Sequence, residues 1–266
     1  MRKRVKIVLA IVGIALVGVV VWQVSQPREP EPVYQAKPLS GWLKRYVNNT
    51  TSSDDPQLLK VNEAVRQAGT NAIPTLLRLL RAHDSALKLK LLNVAKKQHL
   101  IKIKFIPVEA WNFAGVHGFR LLGTNAQSAV PALIEIANQN ISRESQRDAI
   151  MALGYIGPPS KEAVPSLLRF ATNADREVRD VTMFALGRTH AEADRVVPVL
   201  INALHDPKFG VREGAVVALG LFGPDAKAAG PALVKYLNSA EEFYRPPITN
   251  ALKAIDPVAA AKAGVK

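Results

Sequence analysis

Three segments decide the fold: DAIMALGYIGPPSKEAVPSLLRF at 148–170, VTMFALGRTHAEADRVVPVLINA at 181–203 and AVVALGLFGPDAKAAGPALVKYL at 215–237. Gly154, Gly187 and Gly220 stand 33 residues apart, as do Pro165, Pro198 and Pro231, and each glycine precedes its proline by 11. Ala152, Ala185 and Ala218 sit before Leu153, Leu186 and Leu219, and Leu167, Leu200 and Leu233 follow the prolines. Self-similarity at one fixed period marks a stacked array. Each unit reads as two helices. Positions 149, 150, 153 and 156 form one stripe of a 3.6-residue period, with alanines at 149 and 152 that let a neighbour come close. Gly154-Tyr155-Ile156-Gly157-Pro158-Pro159 then breaks the helix. A second helix carries Ala163, Val164, Leu167, Leu168 and Phe170, with Pro165 near its first turn, where a missing N–H costs little. Such a hairpin cannot bury its stripe alone, so the spacing predicts an all-α, right-handed α-solenoid.

Weaker copies extend the array. AVRQAGTNAIPTLLRLL places Gly69 five residues before Pro74, and FRLLGTNAQSAVPALIEIA places Gly123 eight before Pro131. Both suggest a shortened turn with the second helix kept. Asp55-Pro56 reads as an N-cap and first helical residue, and Ser40 as the cap of a short helix holding Trp42, Leu43 and Tyr46. In the fourth copy Thr189-His190 replaces Ile-Gly, so its turn is expected to differ. The resulting division is an anchor at 1–24, a proline-rich spacer at 25–38, an N-terminal cap at 39–54, the solenoid at 55–238 and a C-terminal half-repeat cap at 239–266.

The anchor rests on Ile7–Trp22, an unbroken apolar run that follows Arg2, Lys3, Arg4 and Lys6. At 1.5 Å per residue the run spans about 24 Å, and extending it to Val5 and Val24 approaches the hydrocarbon thickness of ~30 Å. The flanking charge places the N-terminus in the cytoplasm and the repeats outside it, an inner-membrane, single-pass, periplasmic arrangement. A cleavable signal peptide shares this layout and stays open as the alternative. Cleavage calls for small residues, and Trp22 stands where they would be needed.

The 266 residues carry 35 basic and 22 acidic side chains, a net charge of +13, with 48% hydrophobic residues and no cysteine. Wholesale disorder, a disulfide scaffold and a thiolate metal site are excluded. Beyond the N-terminal cluster, the excess charge lies in 72–108, where eight basic residues face a single acid, Asp84. A basic insertion at about 85–108 lengthens the Pro74–Pro131 interval to 57 residues. Its segment 85–97 reads as a helix, and Ile101-Lys102-Ile103-Lys104-Phe105 alternates like an extended strand. Lys88, Lys90, Lys96, Lys97, Lys102 and Lys104 form a candidate basic patch for anionic lipid headgroups or an acidic partner. Charge confined to two places, with no interleaved aromatics, argues against a nucleic-acid ligand.

The Ala-Leu-Gly-x-x-Gly…Ala-Val-Pro-x-Leu pattern resembles HEAT repeats of the short bacterial, phycobilisome-lyase-like type over roughly 55–256, and the layout resembles bacterial single-pass HEAT-repeat proteins. The resemblance implies a protein-binding scaffold whose second helices line the concave side. Positions one and four after each proline then become candidates: Thr75 and Arg78, Ala132 and Glu135, Ser166 and Arg169, Val199 and Asn202, Ala232 and Lys235. Catalytic signatures are missing. His83, His99, His117, His190 and His205 form neither H-E-x-x-H nor a His pair at i, i+4, and no His-Glu dipeptide of the iron-binding HEAT hydroxylase type occurs. No cofactor or metal is expected. A non-catalytic scaffold is the leading reading, with a lyase-like or chromophore-handling enzyme and anionic-surface binding as alternatives. N-terminal sequencing of the mature protein separates anchor from signal: the anchor predicts an intact N-terminus, whereas a start near residue 25 makes the protein a secreted one.

Overall fold

The computed structural model describes residues 30–48, 56–84, 90, 107–262 and 264. The chain divides into residues 1–30 and 31–266, and every described helix and strand lies in the second unit. That unit opens with a small hairpin, β1 (Val33–Tyr34) and β2 (Lys37–Pro38), paired Val33 to Pro38 and Tyr34 to Lys37. Then come α1 (Leu39–Asn48), α2 (Pro56–Ala68), α3 (Ile73–Arg81), α4 (Val108–Leu122), α5 (Val130–Gln139), α6 (Arg143–Ile156) and α7 (Val164–Phe170). The array continues through α8 (Arg176–Thr189), α9 (Ala193–Ala203), α10 (Phe209–Phe222), α11 (Gly230–Ser239), α12 (Arg245–Ile255) and α13 (Pro257–Lys262). First helices α2, α4, α6, α8, α10 and α12 alternate with second helices α3, α5, α7, α9, α11 and α13.

Successive first helices pack on one another closely at the repeating glycine. A Cβ added to Gly187 would lie 2.7 Å from Ala218 Cα, and one added to Gly220 would lie 3.2 Å from Ala251 Cα. At Gly154 it would meet the Phe184 ring at 2.6 Å and Ala185 Cα at 3.0 Å. One continuous core runs between the layers through Leu76, Phe119, Leu133, Leu153, Leu167, Leu186, Leu200, Leu219, Leu233 and Ile248, all fully buried. Each such side chain contributes about 1.5–3 kcal/mol of burial. The first helices are buried on more than the expected stripe. Ser145, Gln146, Asp148 and Ala152 are also covered, because α6 is flanked on both sides.

Between the layers most turns are short 3-10 segments, at Gly69–Ala72, Gly123–Ala129, Pro158–Ala163 and Gly223–Ala229. Gly123 is the counterpart of Gly157 and Gly223, each eight residues before its proline. The expected shortening therefore holds at Gly69 and is corrected at Gly123, whose turn has full length. Gly157 and Gly223 adopt φ 76°, ψ −139° and φ 53°, ψ −133°, a region essentially reserved for glycine. His190 occupies the same register and takes the left-handed helical conformation instead, at φ 47°, ψ 48°. The 3-10 turn is lost, α9 starts at Ala193, and Pro198 falls inside a helix instead of in its first turn.

Three sequence expectations change towards the ends of the array. Residues 31–38, assigned to the spacer, are folded: Trp42 Nε1 donates to the Tyr34 carbonyl at 2.9 Å, and Leu39 N–H donates to that of Pro32 at 2.9 Å. Ser40 does not cap α1 but lies within it, and its own N–H donates to Glu31 Oε2 at 3.0 Å. The C-terminal end is more than half a repeat, since α13 folds back on α12. Of the insertion, only Lys90 and its last two residues, Pro107 and Val108, are described. Asn112 Nδ2 donates to the carbonyls of Leu79, Leu80 and Ala82 at 2.9–3.2 Å, and Asp84 Oδ2 accepts from Val108 N–H at 3.3 Å. The array thus continues from α3 to α4 with the insertion leaving from a pinned base. Among the described residues no helix is long and apolar enough to cross a membrane, and the 7–22 run lies outside them.

The close approach predicts an asymmetry between glycines. Gly187→Val should lower stability by about 3 kcal/mol, because the clash is with backbone. Gly230→Ala, where nothing lies within 4 Å of the added Cβ, should be neutral or stabilising by about 0.5 kcal/mol. Thermal melts of both variants check this.

Candidate functional site

The second-helix candidates divide by position. Thr75 and Ser166 are only 4% and 8% exposed and pack into the array, whereas Ala132, Val199 and Ala232 are half-buried. The fourth position is on the surface in each repeat, but three of its members are engaged within the chain. Arg78 pairs with Glu31. Glu135 accepts from Gln139 Nε2 at 2.8 Å and lies 3.6 Å from Arg81. Arg169 Nη2 donates to Asn138 Oδ1 at 2.9 Å and Ser166 Oγ at 3.1 Å. Asn202 and Lys235 stand exposed. Successive second helices also meet one another little, whereas α6, α8, α10 and α12 pack extensively in series. The first helices are therefore the closely packed layer of the array.

On the first-helix side, the 33-residue register aligns Met151, Phe184 and Val217 three positions before the glycines, and Arg147, Asp180 and Glu213 seven before. Val217 and Leu221 are 50% and 44% exposed, and the Phe184 ring packs edge-on against Tyr155 at 5.2 Å. Two cavities lie along the α8/α10 seam. One of about 260 Å³ is lined by Asp180, Phe184, Gly210, Glu213, Gly214, Val217, Ala218 and Leu221. Its neighbour of about 320 Å³ shares Asp180 and Gly210 and adds Arg176, Glu177, Lys208, Phe209 and Val211. A third, of about 480 Å³, lies over the 3-10 turns and is bounded by Thr70, Asn125, Gln127, Ser128, Val130, Pro131, Pro159 and Glu162.

The electrostatics differ from seam to seam. Between α6 and α8, Arg147 reaches Asp148 at 2.8 Å and Glu177 at 3.4 Å, while Arg143 pairs with Asp175 and with Glu177 at 3.0 Å. Between α8 and α10, no cation pairs with Asp180 or Glu213 among the described residues. Burial in the seam pushes the Asp180 carboxyl up from its ordinary value, and Glu213 and Glu177 add to the rise. Farther along, the buried Tyr244 hydroxyl has no hydrogen-bond partner among the described residues, and burial, with Tyr236 and Glu213, pushes it upward. Near α4, burial lowers the His117 imidazole to about 4, aided by Arg120, so it is neutral at pH 7. Its ring lies 4.2 Å from that of Tyr46. Among the described residues no group of three His, Asp or Glu side chains is placed to hold a metal ion.

A polar ladder runs along the loops, and sequence reasoning missed it although the 33-residue register carries it. Arg179 and Arg212 reach back to the loop before their own helix, and Gln146 to the last turn of α5. They donate to the carbonyls of Ala137 at 2.8 Å, Asn173 at 2.8 Å and Asp206 at 2.7 Å. Arg179 also grips Asp206 of the next loop with two bonds, at 2.7 and 3.1 Å, both side chains being nearly covered. That hydrogen bonding holds the Asp206 carboxyl below its ordinary value.

Residues 164–253 match the family described as HEAT repeats. No curated protein matches the chain. Among solved structures the chain is similar to a designed armadillo repeat protein, YIII(Dq.V1)4CPAF, in complex with peptide (KR)4. That similarity has 17% identity and a TM-score of 0.51, over 80% of this chain and 99% of that one. An engineered protein from the Northeast Structural Genomics Consortium aligns with 19% identity and a TM-score of 0.45, over 81% of this chain and 96% of its own. Apart from the β1–β2 hairpin, the described part of the chain is thus a helical HEAT- and armadillo-like repeat array.

The two seam aspartates carry opposite predictions. Asp206, lowered in the folded state, stabilises the protein above the unfolded carboxyl value and loses that contribution as pH falls through the folded one. Asp206→Asn should therefore lower stability at pH 7 by about 2–3 kcal/mol, a difference that narrows in acid. Asp180, raised in the folded state, opposes folding above its folded value and ceases to do so below it. Asp180→Asn should raise the melting temperature at pH 7, and that gain should shrink in acid. Melting curves of both variants from pH 7 to pH 3 test the pair.

Proposed function

We propose that this chain is a non-catalytic scaffold that binds a protein segment along its first-helix face and is held at a membrane by residues 7–22. The observation that carries the reading is the α8/α10 seam, where exposed apolar side chains border a cleft whose carboxylates have no cationic partner among the described residues. A repeat array needs its first helices to bury most of their surface, so Val217 and Leu221, left exposed on α10, form a ready contact strip. The HEAT-repeat match over 164–253 and the armadillo-like fold support a protein-interaction role. The similar designed protein is itself in complex with a peptide, which agrees in kind with an extended segment as ligand. The anchor and the periplasmic placement are proposed from the apolar run and its flanking charge alone. Binding of anionic headgroups by the basic stretch is a separate proposal that rests on the sequence, since Lys90 alone of its six lysines lies within the described residues.

A photo-crosslinking residue introduced at Val217 or at Lys235 distinguishes the two faces in living cells. The proposal expects a discrete adduct from position 217 and none from position 235. An adduct from 235 alone would move the contact surface to the second helices.

A further inference from the structure

Building on the proposed first-helix contact face, we infer that the α8/α10 seam takes an extended peptide that places a lysine or arginine on Asp180 and an adjacent apolar side chain against Phe184, Val217 and Leu221. Two seams of the same protein differ in charge. Where α6 meets α8, Arg143 and Arg147 match the carboxylates of Asp175, Glu177 and Asp148. One repeat further, the position of Arg147 is held by Asp180, and the next by Glu213. The cations nearest in sequence are committed elsewhere, Arg179 to Asp206 and Arg212 to Tyr236 and the Asp206 carbonyl. Arg176 and Lys208 line the outer cavity without pairing with Asp180. Among the described residues, the seam therefore leaves Asp180 without the ion pair that its counterpart makes within the chain.

Space at the seam points the same way, independently of charge. Helix α10 carries Gly210 and Gly214, where α8 has Glu177 and Val181 and α6 has Glu144 and Asp148. A glycine inside a helix costs about 1 kcal/mol against alanine, so Gly214 needs a packing reason, whereas Gly210 stands at the second residue of α10. Gly214 has one, since its Cβ would lie 3.0 Å from Met183 Cβ. At Gly210 the added Cβ would lie 3.2 Å from Asp180 Oδ2 and would crowd the carboxylate that joins the two cavities. Gly210 thus keeps Asp180 open to an incoming group.

The walls select the rest of the ligand. Phe184, Val217, Ala218 and Leu221 offer an apolar surface beside the acid, which suits the methylene stem of lysine or arginine and one apolar neighbour. An acidic segment would meet Asp180, Glu213 and Glu177 together. A purely apolar one would desolvate the carboxylates without compensation.

The test uses the full chain in detergent at physiological salt, with short fluorescent peptides alternating Leu–Lys, Ser–Lys or Leu–Glu, read by anisotropy. The Leu–Lys peptide should bind at least about tenfold more tightly than either of the others. Asp180→Asn should weaken it about fivefold or more, while Glu162→Gln, over the 3-10 turns, leaves it unchanged. Melting curves show whether Asp180→Asn remains folded, and Glu213→Gln provides a second variant that should weaken the same peptide. Equal binding of Leu–Lys and Ser–Lys, or Leu–Lys binding indifferent to both variants, overturns the inference. Preferential binding of Leu–Glu, lost in Val217→Arg, overturns the cation preference and leaves the groove reading standing. Failure of all three peptides to bind, alongside a position-217 adduct in cells, likewise rejects this ligand chemistry and not the face.

Discussion

A side chain at Gly187 would occupy space already filled by the backbone of Ala218, and the rest of the array depends on that close approach. Helix axes can come this near only where one helix presents no Cβ and its neighbour presents a single methyl group. Glycine lowers helix propensity by about 1 kcal/mol at each such position. Interdigitation of Leu153, Leu186 and Leu219 with the neighbouring repeats offsets it, since each buries about 1.5–3 kcal/mol of apolar surface. Because every unit is completed by the next, the contact propagates along the chain as a nearest-neighbour term.

The same contact makes the two layers unequal. First helices pack extensively in series, while successive second helices meet one another little. Gln146 ties α6 to the last turn of α5, and loops between repeats are tied by the reach-back of Arg179 and Arg212 and by the Arg179–Asp206 pair. Those bonds satisfy loop carbonyls that would otherwise lie partly buried without donors. At the α8/α10 seam the pattern is left incomplete: Asp180 and Glu213 line one apolar cleft with no cation paired to either among the described residues.

Much of this was legible in the linear order. The coincidence of Gly154, Gly187 and Gly220 with Pro165, Pro198 and Pro231 shows the helical pairs, their lengths and their stacking, because close approach and helix initiation each restrict residue type. The irregular turn at His190 was also visible, since a residue with a Cβ cannot take the conformation that Gly157 and Gly223 adopt. Other features were not visible. Thr75 and Ser166 look like surface residues from the helical period, but a neighbouring repeat covers them. Ser40 has the composition of a cap, yet Glu31 reaches its N–H from nine residues away. Arg78 reads as a free cation until Glu31 is brought to it across 47 residues.

The sequence by itself determined the repeat, its period, the identity of the core and the exceptional fourth turn. These follow from local sterics and from the demand that an apolar stripe be buried. Only the tertiary structure decided which layer is tightly packed. It alone showed which charges are matched internally and where a cleft opens. Those outcomes depend on distances between side chains a full repeat or more apart, and a periodic sequence places such residues in register without stating how near they come.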